Sequence, residues 1–167
     1  NSRYLPELEI SPQTKLIGIK SPKGTGKTQA LVKVVEQAIA KQQKVLVIGH
    51  RIQLVKELCQ RFGLNYLTQS DRPDRSSLGY GLCIDSLHPL SGARFNADNW
   101  SDGIVIIDEA EQVIWHLLNS ATCALERVEI LAQFKTLIQN NLSGDGQVYL
   151  ADADLSDVRS EERRVGK

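Results

Sequence analysis

Two runs in this sequence are apolar at every position rather than at every second one: residues 45–48 (VLVI) and 104–107 (IVII). A strand with one wet face alternates, so an uninterrupted apolar strand needs cover on both faces. Helical spacing surrounds these runs. Ala30, Leu31, Val34, Val35, Ala38 and Ile39 mark one face of a helix over 27–42, which follows a strand over 15–20 (KLIGIK). Leu54, Val55, Leu58 and Phe62 mark another over 52–62, closed by Gly63. Further strands are expected over 64–67, 80–84 and 148–151, and further helices over 110–118 and 125–141. Residues 68–79 read as a polar surface loop and 89–102 as irregular. Strands alternating with helices imply crossover connections and a mainly parallel sheet with helices on both faces, an α/β fold.

The chain has 167 residues, about one domain's worth. Apolar residues make up 41% and charged residues 24%, which excludes a mostly disordered chain. No window is long and apolar enough for a membrane span, and the first residues do not resemble a secretion signal. Cys59, Cys83 and Cys123 are far apart and form no CxxC pair, so neither a zinc framework nor a disulfide framework is expected, and the compartment is read as cytoplasmic. The zero net charge conceals an asymmetry. Residues 1–84 hold 13 Lys+Arg and 6 Asp+Glu, whereas residues 85–167 hold 7 and 14. Such a chain can offer a basic surface to an anion and an acidic one to a metal. Residues 1–14 read as a lead-in and 15–158 as the folded domain. The charged, aperiodic tail 159–167 need not be native and is left out of the fold argument.

Residues 21–28 read SPKGTGKT between a strand and a helix, the context that a phosphate-binding loop requires. Gly24 and Gly26 let the backbone curl so that successive N–H groups, including those of Lys23 and Thr25, face one anion. The helix that follows adds the positive end of its dipole. Lys27 can reach the terminal phosphates of a nucleotide, and the Thr28 hydroxyl can ligate Mg²⁺. Ser21 stands where the usual pattern has a first glycine. At 104–111 (IVIIDEAE) a buried strand delivers carboxylates to the edge where ligands bind in open α/β sheets. Asp108 is placed to hold the same Mg²⁺, and Glu109 to orient or deprotonate an attacking water. That glutamate suits ATP hydrolysis better than phosphate transfer to a small molecule.

SPKGTGKT, VLVIGHRIQLVKEL, GLCIDSLH, IVIIDEAE and VYLADADLSD follow one another in an order that resembles motifs I, Ia, Ib, II and III of the first RecA-like domain of superfamily 2 helicases. The narrower resemblance is to replication-origin-binding helicases and to cyanobacterial-type plasmid replication proteins. It spans about residues 15–157. It implies ATP and Mg²⁺ as cofactors, single-stranded DNA as partner, and a second RecA-like domain outside these residues. It further implies that His50 and Arg51, with Ser86 and His88 beside Asp85, lie along the strand-binding edge. Asp152 would face the γ-phosphate and Glu109, coupling hydrolysis to movement together with Asp154. The DAD sequence here departs from the Ser-Ala-Thr often found in helicases. Trp100 and Trp115 are read as core or simply exposed rather than base-stacking. Two other readings stay open: a P-loop ATPase of another class, such as a helicase loader or terminase-like motor, and a nucleotide-dependent binding module without catalysis.

Overall fold

A computed structural model describes residues 14–20, 26–66 and 79–152. The elements run β1 (Leu16–Lys20), α1 (Lys27–Ala40), β2 (Val45–Gly49), α2 (Ile52–Phe62), β3 (Asn65–Tyr66), β4 (Gly79–Cys83), β5 (Ile104–Asp108), α3 (Ala110–Asn119), α4 (Arg127–Ser143) and β6 (Gln147–Asp152). The six strands form one sheet in the order β1-β6-β5-β2-β4-β3. Every pairing in it is parallel.

Burial on both faces explains the continuous apolar strands. Val45, Val47, Ile104 and Ile106 pack against α1 and α2 through Leu31, Val35, Val55 and Phe62. Leu46, Ile48, Val105 and Ile107 point the other way, toward Val113 and Leu117 of α3 and Ile130 and Leu137 of α4. Strand side chains alternate between faces, so a run with two covered faces has no polar position to give up.

Because the strands are parallel, all their carboxyl ends share one edge of the sheet. The segments after β1, β2, β4, β5 and β6 are those that carry the five sequence motifs. Strand β6 lies between β1 and β5, so the end that carries Asp152 falls between the phosphate loop and Asp108. Glycine lets one layer close tightly. A Cβ on Gly81 would collide with Cys59 Sγ and Val55 Cγ1, so its absence lets α2 lie directly on β4.

The stretch between β4 and β5 is irregular in path but not loose. Short 3₁₀ turns at Ile84–Ser86 and Ala97–Trp100 bracket it. It also inserts Ile84, Leu87, Phe95 and Trp100 into the core beside α4. Trp100 meets Tyr80 edge-on at 5.4 Å between ring centroids, and the Lys44 ammonium lies 5.4 Å from the Trp100 ring. Trp100 is therefore core, with no face free for a base. No helix among the described residues is long and apolar enough to cross a membrane.

Candidate nucleotide site and strand-binding edge

Gly26 caps α1 with φ 84 and ψ 17, a left-handed conformation that glycine adopts without strain. It has no side chain to occupy the first amides of α1, where the helix dipole attracts anions. Lys27 and Thr28 occupy the first turn. The expected contacts of Lys23, Gly24 and Thr25 fall outside the described residues.

Strand β5 ends at Asp108, and the Lys27 ammonium lies 3.3 Å from its Oδ1. Oδ1 is buried and receives no well-aligned hydrogen bond among the described residues, so the Lys27 ammonium acts on it mainly by charge. Burial raises the Asp108 pKa above its ordinary value, against the lowering pull of Lys27. A buried carboxylate oxygen that lacks a well-aligned donor fits a divalent cation, which would satisfy it and offset the desolvation.

Glu109 turns the chain from β5 into α3 with φ 50 and ψ 54. This is the left-handed region, which a non-glycine residue occupies at a cost. Its Oε2 lies 3.6 Å from His50 Nδ1. Strand register brings them together. Strands β2 and β5 pair Val45 with Ile104 through Ile48 with Ile107, and two further steps bring His50 level with Glu109. Desolvation holds the His50 pKa below its ordinary value, and Glu109 only partly offsets this, so the ring is neutral near pH 7. Arg51 is exposed at the N-cap of α2, and its side chain makes no capping hydrogen bond there.

Asp152 does not point freely at the site. It is 6% exposed, and its Oδ2 accepts the backbone N–H of Glu111 at 2.9 Å, fixing the first turn of α3 to the end of β6. A carboxylate at a helix N-terminus is favoured by both the orphan amide and the dipole. Asp154 lies outside the described residues. His88 differs from its expected place on the strand-binding edge. The residue is only 8% exposed, next to the buried Leu87, so it is not offered to a nucleic acid. Ser86 is half-buried on the same turn.

One residue of the site was missed. His116 stands seven residues after Glu109, two turns along the same helix face, and that spacing was the available signal. Its ring lies 6.2 Å from that of His50, and its Nε2 is 2.8 Å from Asp85 Oδ1. Cys123 joins them, with the three ligand atoms within 4.8 Å of one another. The Asp85–His116 separation is that of a hydrogen bond, shorter than the roughly 3.3 Å between two ligands on tetrahedral zinc. Burial and Asp85 push the Cys123 thiol up to about 11, so it stays protonated. The trio is a hydrogen-bonded strap between the end of β4 and α3.

Residues 4–114 match the family described as type III restriction enzyme, res subunit. The chain belongs to this family. Its domain is a superfamily 2 helicase RecA-like ATPase domain, in agreement with the parallel α/β sheet. The res-subunit match ends within α3, so α4 and β6 continue the fold beyond it. An uncharacterized protein of Picosynechococcus sp. is 44% identical over 167 residues, an alignment that covers 96% of this chain and 16% of that protein. The chain therefore spans only a small part of the length of the relative it matches.

Proposed function

We propose that this domain is the first motor domain of a DNA helicase in a replication protein of the plasmid or origin-binding type, coupling ATP hydrolysis to movement on DNA. The observation that carries this reading is the meeting of Lys27 with a buried Asp108 carboxylate oxygen that has no well-aligned hydrogen-bond donor, beside Glu109, at the carboxyl edge of the sheet. The replication role rests on the order and wording of the five motifs.

In this reading the α1 amides after Gly26 and the Lys27 ammonium bind the phosphates of ATP, with Lys23, Gly24 and Thr25 completing the cradle. Thr28 and Asp108 would hold Mg²⁺, which would supply neutralisation of phosphate charge there. Glu109 orients the attacking water and accepts its proton. Arg51 and Ser86 face the backbone of single-stranded DNA from the neighbouring strand ends, and His50 beside them turns inward to Glu109. The cytoplasm, where replication proteins work, is the expected compartment.

Calorimetry with Mg·ATP tests the nucleotide site. Lys27→Ala should abolish binding while the domain stays folded, although loss of the counter-charge beside the buried Asp108 carboxylate should lower its melting temperature at pH 7. Equal affinity in parent and variant would sink the phosphate-site assignment.

A further inference from the structure

We infer that His50 is a positioning residue that restrains Glu109 in the DNA-free protein and releases it when the loop after β2 takes hold of a DNA strand. This inference rests on the motor reading above and adds the path by which DNA would govern the water-activating carboxylate.

Three observations support it. The contact between His50 Nδ1 and Glu109 Oε2 joins two loops assigned to different ligands, one to DNA and one to ATP. The pairing of β2 with β5 fixes this meeting, so it is built into the sheet rather than left to a mobile side chain. The third is the strained left-handed backbone of Glu109, for which the right-handed region is the lower-energy arrangement. Glu109 sits at φ 50, and moving to the ordinary right-handed region would re-aim its carboxylate. Coupling between sites needs such an element with two arrangements.

The contact can also be broken. At 3.6 Å it steers the carboxylate without forming a full hydrogen bond. Arg51 is the next residue along the chain from His50, and it is exposed. Drawing Arg51 toward a phosphate therefore moves the His50 backbone directly. On the far side, Asp85 holds His116 at 2.8 Å, and the His116 ring lies 6.2 Å from that of His50. The loop after β4, on the same expected DNA edge, is thus linked to the His50 ring through His116. Glu109, Arg51, His116 and Asp108 are the charged or titratable groups around His50.

The test uses the longest natural protein that carries this chain. Steady-state ATP hydrolysis is measured with and without oligodeoxythymidylate, resolving kcat and KM. His50→Ala should raise the DNA-free kcat by about fivefold, at the low end of coupling between sites. KM for ATP should change little, the affinity for DNA should rise by no more than about the same fivefold because binding no longer has to break the contact, and the stimulation ratio should fall toward one. His50→Asn keeps an N–H near the Nδ1 position and should restore low DNA-free turnover. If the alanine variant unfolds, His50→Phe, which refills the ring volume without an N–H, carries the same expectation. An unchanged stimulation ratio, or an asparagine variant that behaves like alanine, overturns the restraint alone. A parent protein whose turnover ignores DNA overturns the motor reading and this inference with it.

Discussion

Asp108 is held in a setting that disfavours its own charge. Its folded-state pKa is raised above the ordinary 3.8, so the folded protein keeps the proton to higher pH than the unfolded chain does. Its contribution to stability is therefore full below pH 3.8 and is lost as pH rises through the folded value. At pH 7 the buried carboxylate is a cost. Asp108→Asn should thus raise the melting temperature of the ligand-free protein at pH 7, while removing its dependence on Mg²⁺ for nucleotide binding. The gain should shrink in melts recorded near pH 4. A variant that melts below the parent at pH 7 would show that the ion pair with Lys27 outweighs desolvation. His50 works in the opposite sense. Its folded pKa lies below 6.5, so as pH falls past that value the unfolded chain takes up the proton first and stability declines.

Among the elements, α2 depends on one missing side chain. Gly81→Ala would drive a methyl group into Cys59 Sγ and Val55 Cγ1. Overpacking of that kind costs about 1–3 kcal/mol. We expect denaturant titration to show that loss, together with weaker protection of α2 amides in hydrogen exchange; an unchanged midpoint would mean that α2 can shift freely. Periodicity located the strands and α1, α2 and α3 well, because their buried residues recur at the period of the element. It misplaced the start of α4. Leu125 is apolar yet 97% exposed, and it imitates the start of a buried face two residues before Arg127. The segment 89–102 gave no signal for the opposite reason. Phe95 and Trp100 are buried without any repeat, held by contacts with Tyr80 and α4 that are remote in sequence. The phosphate loop and the β5 carboxylates were legible because one strand-turn-helix fixes each. The meeting of His50, Glu109 and His116 was not, since it depends on which strands become neighbours.

Viewed as a whole, the molecule divides its sheet edge in two. Strands β1, β6 and β5 bring the nucleotide residues together, and β2 and β4 bring those assigned to DNA. Helicases of the resembling kind complete the first group with an arginine from a second RecA-like domain, and such a finger contributes about 10³–10⁵ in rate in related phosphoryl-transfer enzymes. No arginine among the described residues contacts Lys27, Asp108 or Glu109 in the site as described; Arg159, Arg163 and Arg164 lie outside those residues. The 167-residue chain alone should bind Mg·ATP but release phosphate very slowly, with little stimulation by DNA. Fast, DNA-stimulated turnover by the monomeric chain would show that the missing charge is supplied internally. Its DNA binding should be weak and should fall as salt rises, because phosphate contacts release counterions. Arg51→Glu should weaken it further in a fluorescence-anisotropy titration, whereas salt-independent binding would place the contact elsewhere.

The chain has two tryptophans, and the fold has put them in opposite optical environments. Trp100 is 4% exposed beneath Lys44, while Trp115 is 61% exposed on α3, six residues from Glu109 and on the helix that Asp152 ties to β6. Their emissions should separate, the first blue and shielded from acrylamide, the second red and readily quenched. A ligand that tugs on either end of that tie would then announce itself in the light of Trp115 against a steady signal from Trp100. The domain carries its own dye, placed where the nucleotide and the helix would pull on one another.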